Sequence, residues 1–334
     1  MSRVLVTGAN GFIGSNLCRW LGERGWQVDA LVRESSDLRF LDGVDVRLVK
    51  GDLRSAVGID IPPGTDYVVH TAALVSDTAD DADCARNIVD ATRGLVGKLR
   101  AAGTPLRRFV YVSTALVLGY GRSGISEERL GRSAFFLPYV RHKVRAESEL
   151  RDLQAYGGFP LVILRPADVF GPNDRVSCAR ILAGCERGMP LVAGRGRWRF
   201  GYCHVDNFCR AVELALVTPD IEGRAYTVTN GALPTWREFF SAMQDGVGRK
   251  QRLYVPVAAA RAMGIVSEAV RAVFPRFKGE LNRYRVRRVT TETTYDISRT
   301  VAELGYRPDD DFRSQFAGIL AWYRKEKARG GMDR

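Results

Sequence analysis

Short apolar runs alternate with amphipathic segments along the first half of the chain. Runs rich in apolar and β-branched residues predict strands at 4–7, 27–32, 45–50, 67–71, 109–113 and 161–164. Apolar positions three and four residues apart predict helices, clearest at 12–23, 83–102 and 139–156. Strands that alternate with helices are typical of a parallel, doubly wound sheet of the Rossmann type. The predicted fold class is therefore α/β.

This regularity ends after Arg165, where glycine, proline and arginine become frequent. We therefore predict a Rossmann domain over residues 1–165 and a smaller lobe, mainly for substrate binding, over 166–334. A segment near 200–230 is expected to return to the first domain, with a strand at 225–229. An amphipathic helix at 314–327 is expected to close the fold.

Three glycines follow the first predicted strand and open the first predicted helix, in the sequence TGANGFIG at 7–14. Gly8 permits a tight turn, Gly11 lets the backbone approach a pyrophosphate, and Gly14 lets helix and strand pack closely. The N–H groups at the start of the helix then bind the phosphates. A glycine pattern alone is weak evidence, but the flanking strand and helix are the context that a dinucleotide site requires.

Further motifs, in a fixed order, resemble those of the extended short-chain dehydrogenases/reductases. They are GDL at 51–53, HTAA at 70–73, ST at 113–114, YxxxK at 139–143, and LRP through GP between 164 and 172. The resemblance covers essentially the whole chain and implies an oxidoreductase that uses NAD(P). The cofactor contacts that it implies are Gly8, Asn10, Gly11, Phe12, Ile13, Gly14, Arg33, Asp52, Leu53, Thr71, Ala72, Ala73, Tyr139, Lys143, Pro166 and Val169.

Two of these positions have particular roles by the resemblance. Asp52 is expected near the adenine, although an aspartate after a strand also fits a turn or a cap. Ala72 and Ala73 are expected to line the cofactor channel, where small side chains let the dinucleotide lie close to the backbone.

The end of the second predicted strand bears on the choice between NAD and NADP. NAD-selective sites place an acidic residue here to bind the ribose 2′-hydroxyl, whereas arginine suits a 2′-phosphate. Val32 occupies the position expected for the acid, and Arg33 follows it. The sequence therefore favours NADP(H) over NAD(H). The alternative is an Arg33 that only faces solvent at the start of a loop.

Tyr139 and Lys143 are four residues apart on a predicted helix and share one face. A free phenol has a pKa of about 10, and a nearby ammonium group favours its ionised form. Tyr139 is therefore the predicted proton-transfer residue, and Lys143 can also hold the nicotinamide ribose. By the resemblance, Thr114 is the catalytic hydroxyl and Ser113 precedes it; a hydroxyl that bonds only to backbone is the alternative. Asn87 is one residue away from the register of the family's helical asparagine and is assigned no role.

Several branches of the family share these motifs, and the sequence departs from those that act on nucleotide sugars. Ala115 and Leu116 stand where dehydratases have an acidic pair. Phe200-Gly201 stands where epimerases have Arg-Asp, and RRVT at 287–290 replaces their R-P-G-D element. Arg197 or Arg199 could compensate for the missing arginine.

The C-terminal third instead resembles 3β-hydroxysteroid dehydrogenases and their sterol-decarboxylating relatives, at 280–286, 294–298 and 303–308. An apolar stretch at 255–274 stands where that branch has a segment that faces substrate or membrane. An ordinary core-packed helix would show the same amphipathic pattern. Its charges and length exclude a spanning helix. With Arg276 and Lys278 just beyond it, peripheral contact with an anionic bilayer is an option.

These features predict an NAD(P)-dependent oxidoreductase that interconverts a 3-hydroxy and a 3-keto group on a hydrophobic small molecule. A sterol, a long-chain 3-oxo acid and a natural-product intermediate are the candidate substrates. The runner-up is a nucleotide-sugar epimerase or reductase. A non-catalytic NAD(P)-binding redox sensor is the alternative of another class, and the set of Tyr139, Lys143 and Thr114 argues against it, because a sensor needs no base.

Composition adds limits on partners and compartment. The 334 residues carry a net charge of +12, but the basic residues are scattered without an interleaved aromatic module, so no nucleic-acid partner is expected. The six cysteines show no C-x-x-C or Cys/His spacing, so we predict no metal site and a reducing compartment. The chain enters a predicted strand at once, without a signal-peptide pattern. We expect a cytoplasmic homodimer.

Overall fold

The computed structural model describes residues 2–55, 59–188, 192–249, 254–274 and 281–330. Seven of its strands form one parallel sheet, and two pairs of short strands lie outside it. The strands are β1 (Arg3–Thr7), β2 (Gln27–Val32), β3 (Arg47–Lys50), β4 (Tyr67–His70), β5 (Arg108–Val112), β6 (Leu161–Pro166), β7 (Asp168–Phe170), β8 (Val192–Ala193), β9 (Tyr202–His204), β10 (Ala225–Val228) and β11 (Tyr254–Val255).

The order of strands across the sheet, β10-β6-β5-β4-β1-β2-β3, is what creates a binding crevice. The chain runs outward from β1 through β2 to β3 and then returns to the other side of β1 with β4. At such a reversal the connections leave on opposite faces of the sheet, and a crevice opens beyond the carboxyl ends of the two central strands. Thr7 at the end of β1 and His70 at the end of β4 therefore border this crevice.

Helices cover both faces of the sheet. The helices are α1 (Phe12–Gly22), α2 (Asp81–Cys84), α3 (Ala91–Ala101), α4 (Pro138–Gly157), α5 (Cys178–Glu186), α6 (Val205–Val217), α7 (Trp236–Gly246), α8 (Val257–Val273), α9 (Arg283–Val289), α10 (Ser298–Leu304) and α11 (Phe312–Ala328). Apolar residues of α1 and α6, such as Leu17 and Phe208, pack on one face. Leu95 of α3 and Leu150 of α4 pack on the other. Each fully buried leucine contributes roughly 1.5–3 kcal/mol to folding.

The predicted α/β fold class is confirmed, and most predicted strands lie within one or two residues of the observed ones. β3 starts two residues later than predicted; it lies at the edge of the sheet and pairs only with β2. The helix predicted at 83–102 is longer at its start and carries a π-helical segment, Ala85–Asp90, between α2 and α3. Hydrophobic spacing does not register this local widening of the turn.

The apolar stretch at 255–274 forms the end of β11 and helix α8, and its core-packed interpretation is wrong. Ala260 and Gly264 are buried, whereas the larger apolar side chains face outward. Met263, Ile265, Val266, Val273 and Phe274 are each more than half exposed, at 52–70 %. Arg276 and Lys278 lie outside the described residues. Within the described ranges, no helix has the length and hydropathy needed to cross a membrane.

Candidate active site

The predicted glycine turn lies at the carboxyl end of β1 and opens α1. Gly8 has φ +65°, and a Cβ there would lie 2.9 Å from Ala72 Cα, so only glycine lets the turn approach the segment after β4. A Cβ at Gly14 would overlap the carbonyl oxygen of Gly8. Gly11 caps α1 without any side chain that could occupy the N–H groups of the first turn. The turn therefore leaves room and donors for the pyrophosphate of a dinucleotide.

A chain of buried hydroxyl and imidazole groups fixes this turn to β4 and α3. Thr7 Oγ1 lies 2.7 Å from His70 Nδ1, and His70 Nε2 lies 3.0 Å from Thr92 Oγ1. Thr92 donates to the carbonyl of Ile88, so its oxygen accepts from Nε2–H and His70 accepts the Thr7 proton at Nδ1. Burial lowers the pKa of His70 to about 3, with a smaller effect of Lys143, and keeps the ring neutral. The HTAA motif included His70 but gave it no role, and Thr92 lies outside the motifs of the sequence analysis.

The remaining predicted cofactor residues lie around the same crevice. Thr71 Oγ1 donates to the carbonyl of Thr7 at 2.7 Å, and Asn10 Nδ2 donates to that of Asp37 at 3.4 Å. The loop after β7 is held against α1, because Asn16 Nδ2 donates to the carbonyl of Pro172 at 2.9 Å. Partly buried members of the set are Phe12, Ile13, Leu53, Ala73 and Val169, and Pro166 is buried at the end of β6.

Arg33 and Asp52 both line a cleft of about 860 Å³ beside β3. Arg33 is exposed, whereas Val32 is 2 % exposed and faces the core. Asp52 accepts from Arg54 at 2.5–3.1 Å, and these hydrogen bonds, with a smaller effect of the Arg33 charge, lower its pKa to about 2. Arg54 thus already compensates the carboxylate, and the Arg33 guanidinium borders a cleft with further cations at Arg47 and Lys50.

Tyr139 and Thr114 meet on the other side of the crevice. Pro138 opens α4 at a position where its missing N–H costs nothing, so Tyr139 lies in the first turn. The phenol of Tyr139 lies near the hydroxyl of Thr114, which follows β5, accepts from the N–H of Leu116 and favours the ionised phenol. Ser113 Oγ is buried and has no hydrogen-bond partner within the described residues. The structure therefore brings together the pair that the sequence predicted.

The electrostatics of Tyr139 differ from those expected from its spacing to Lys143. Burial raises the pKa of Tyr139 above its usual value, and only the Thr114 hydrogen bond opposes this. Lys143 Nζ donates to the carbonyl of Val112 at 2.7 Å and lies 4.7 Å from the centre of the Tyr111 ring. Burial lowers the pKa of Lys143 to about 7. The expected lowering of the phenol pKa by the ammonium group is thus absent in this arrangement, because burial dominates both groups.

An ion pair that the sequence analysis missed lies behind Lys143. Glu147, one helical turn further along α4, accepts from Arg165 at 3.0 Å and 2.5 Å. Both side chains are almost fully buried, at 2 % and 3 % exposure. The carboxylate of Glu147 raises the pKa of Lys143 and so opposes the larger effect of burial. No local pattern could reveal this pair, because Arg165 belongs to β6.

Aromatic side chains border the site on the side of the C-terminal lobe. The rings of Tyr120, Phe136 and Tyr284 lie 5.5–6.4 Å apart in edge-to-face contact. Tyr284 is close enough to Tyr139 that the charge of one phenolate opposes ionisation of the other. Helix α9, which carries Tyr284, is tied to the loop after β4 because Arg285 and Asn282 both donate to Asp77. Tyr120 and Tyr284 thus pack in the same buried cluster as Tyr139.

Phe200 and Gly201 leave no place for a diphosphate-binding arginine. Phe200 is 1 % exposed and stacks on Trp236 with 3.8 Å between ring centres. A Cβ at Gly201 would lie 2.8 Å from Ala167 Cβ and 2.9 Å from the Tyr295 ring. The neighbouring Arg199 is exposed, and its guanidinium donates to the carbonyl of Leu233 at 2.5 Å. These contacts argue against compensation by Arg199.

A glycine cradle at a sheet crossover, together with buried Tyr139, Thr114 and Lys143, defines a nicotinamide-dinucleotide oxidoreductase of the extended short-chain type. A profile of the NAD dependent epimerase/dehydratase family matches residues 4–229, and the chain belongs to that family. The resemblance to extended short-chain dehydrogenases/reductases is thereby confirmed, and 3β-hydroxysteroid dehydrogenases are among the relatives.

Three similar proteins span nearly the whole chain. Sterol demethylase protein B of Methylococcus capsulatus is 31 % identical over 96 % of this chain and 98 % of its own. A 4-hydroxy-2-methyl-3-oxo-4-farnesyl-3,4-dihydroquinoline-1-oxide ketoreductase of Stigmatella aurantiaca is 30 % identical over 91 % of each. The structure of UDP-glucuronic acid 4-epimerase from Bacillus cereus in complex with NAD aligns with a TM-score of 0.77, at 20 % identity, over 97 % of this chain and 99 % of that one. The last match supports the fold alone.

Proposed function

We propose that the protein interconverts a secondary alcohol and a ketone, 3-hydroxy and 3-keto, on a hydrophobic substrate. The observation that carries the proposal is the position of the Tyr139–Thr114 pair beside the rings of Tyr120, Phe136 and Tyr284. Burying apolar ligand surface against such rings contributes roughly 25 cal/mol per Å². A sterol, a long-chain 3-oxo acid or a natural-product intermediate has the required surface. The sterol and farnesyl compounds in the names of two relatives support this class.

Each residue of the site has a distinct task in this proposal. Thr114 donates a hydrogen bond to the substrate oxygen and holds the phenol of Tyr139 in place. Tyr139 takes the alcohol proton, or gives it to the ketone oxygen in the reverse direction. Lys143, in its ammonium form, binds the nicotinamide ribose, whereas burial outweighs any effect of its charge on the phenol pKa. The bound nicotinamide supplies or accepts the hydride.

The runner-up is an epimerase or reductase of nucleotide sugars. Buried Phe200 and tightly packed Gly201 disfavour it, since they fill the place of the expected diphosphate ligand. The decisive experiment is a turnover and competition screen with sterols, long-chain 3-keto compounds and UDP-sugars. Turnover of a hydrophobic alcohol or ketone supports the proposal. If UDP-sugars turn over or protect the site while the hydrophobic compounds do neither, the epimerase takes its place. If none of these compounds reacts but the dinucleotide still binds, the result favours the non-catalytic redox sensor.

We propose NADP(H) as the preferred cofactor, on the basis of exposed Arg33 and buried Val32. The guanidinium suits a 2′-phosphate, and the carboxylate of Asp52 is already compensated by Arg54. Arg33→Ala should weaken the binding of NADP(H) about tenfold and change the binding of NAD(H) little, as expected for the loss of one charge-assisted contact. Fluorescence titration measures both constants, with Arg19→Ala on α1 as a control. Equal affinity of the parent protein for the two dinucleotides would contradict the preference.

We propose that the exposed face of α8 makes peripheral contact with anionic lipid. This apolar face consists of Met263, Ile265, Val266, Val273 and Phe274. An exposed basic loop with Arg195 and Arg197 adjoins its start, because Gly194 N–H donates to the carbonyl of Val255. Apolar side chains flanked by cations are what binds an anionic interface.

A flotation assay with vesicles of phosphatidylserine and phosphatidylcholine measures this contact. Val266→Glu should lower the bound fraction several-fold, since a charge replaces a side chain that would enter the lipid. Val301→Glu, at a similarly exposed valine on α10, is the matched control and should not. Equal binding of both variants to the vesicles, or no binding by the parent, would contradict the contact.

We also propose a cytoplasmic location, which is supported by six cysteines that are all free and buried. We propose a homodimer, and sedimentation measures its mass.

A further inference from the structure

Arg288 and Asp168 form an ion pair between helix α9 and strand β7. The Nε atom of Arg288 lies 3.1 Å from Asp168 Oδ2, and a second guanidinium nitrogen contacts the other carboxylate oxygen. The two residues are 120 positions apart, so only the fold brings them together. The carboxylate raises the pKa of Arg288 above its usual value despite burial, so the arginine stays charged.

This pair lies on the substrate side of the site. Tyr284, one helical turn before Arg288 on α9, packs in the same cluster of buried side chains as Tyr139. Tyr295 packs nearby. Its ring lies against Gly201, and its hydroxyl donates to the carbonyl of Gly119 at 3.0 Å. The ion pair is therefore close to the buried cluster that contains Tyr139.

The Arg288–Asp168 pair is more exposed to solvent than the buried Arg165–Glu147 ion pair. The Arg165–Glu147 pair is 3 % and 2 % exposed, whereas the side chains of Arg288 and Asp168 keep 30 % and 20 % of their surface accessible. The pair is therefore accessible enough for a ligand to contact it. As a whole the pair is neutral, so the ligand meets no net positive charge.

We infer that Asp168 is a specificity-determining residue that keeps anionic groups away from Arg288. This inference rests on the proposed function and narrows its substrate to molecules with no phosphate or carboxylate at this position. Without the aspartate, a partly desolvated guanidinium would bind such an anion bidentately. With it, the anion would meet a fixed like charge in a poorly solvated place, which disfavours its binding. Recognition of an apolar substrate thus includes rejection of a charged one.

Asp168→Asn tests the inference, because it removes the charge at nearly constant volume. UDP and inorganic pyrophosphate are titrated by calorimetry into the NADP(H)-loaded parent and variant. We expect the variant to bind both anions at least about tenfold more tightly than the parent. The double variant Asp168→Asn/Arg288→Gln should lose the gain, since it removes the guanidinium that the anion would use. Asp168→Glu, which keeps the charge, should behave like the parent.

Unchanged anion affinity in a variant whose melting temperature and NADP(H) affinity match those of the parent would overturn the inference. A gain that persists in the double variant would do the same. If Asp168→Asn does not fold, Asp168→Ser gives the same readout, because its small side chain leaves room for an anion. The titration measures anion binding and needs no turnover. If the parent reduces no hydrophobic ketone, the proposed function is contradicted, but the effect of Asp168→Asn on anion affinity can still be measured.

Discussion

Tyr139→Phe should lower turnover by about 10²–10⁴-fold while cofactor affinity changes little. The phenol hydroxyl is the group proposed to exchange a proton with the substrate, and it lies near Thr114 and in the same buried cluster as Tyr120 and Tyr284. Phenylalanine keeps the ring and its packing in the first turn of α4, so the fold should survive. Steady-state kinetics on any accepted alcohol or ketone, together with a dinucleotide titration, measures both effects.

Tyr156→Phe provides the matched control for this variant. Tyr156 lies on the same helix but is 91 % exposed, so loss of its hydroxyl should leave the rate unchanged. Thr114→Val should resemble Tyr139→Phe in direction, because it removes the hydroxyl that bonds to the phenol. If Tyr139→Phe retained a rate within a few-fold of the parent, with fold and cofactor affinity intact, another group would have to transfer the proton.

The parts of the site that the sequence predicted are those set by local geometry. Gly8, Gly11 and Gly14 follow one strand and open one helix, and a side chain at Gly8 or Gly14 would clash with neighbouring backbone atoms. Tyr139 and Lys143 share a helical face by spacing alone. Alternating strands and helices, with their right-handed crossovers, then place these segments at the same end of the sheet. Local pattern and topology were therefore sufficient to predict where these segments lie, and their roles in cofactor binding and catalysis stay predictions.

The parts that the sequence left open depend on contacts between distant segments. Burial of Lys143 lowers its pKa to about 7, and burial is a property of the assembled core and not of a motif. The Arg288–Asp168 pair joins residues of β7 and α9. The outward-facing apolar side of α8 is equally invisible to periodicity, because an amphipathic pattern gives the spacing of apolar positions but not what covers them.

Glu147→Gln should destabilise the protein by about 3–5 kcal/mol, since it leaves the Arg165 guanidinium charged, buried and without its counter-ion. The same change should act on the site through Lys143. The Glu147 carboxylate raises the pKa of Lys143, so its removal moves that pKa further below the value of about 7. The active ammonium form exists below this pKa. The alkaline loss of activity should therefore begin at lower pH in the variant than in the parent.

Denaturant unfolding and a pH–rate profile together separate the positioning role of Glu147 from a merely structural one. Glu149→Gln is the control on the same helix: Glu149 is 31 % exposed and pairs with Arg93 and Arg145, so its loss should cost under about 1 kcal/mol and leave the profile in place. A purely structural Glu147 would lower stability without moving the alkaline limb. Glu147→Asp, measured under conditions in which it is folded, should move the alkaline loss of activity part of the way back to the pH of the parent, because it keeps a carboxylate near Lys143.

The free energy of unfolding of the parent should also rise between pH 7 and 10, because the buried lysine binds its proton less tightly in the folded than in the unfolded state.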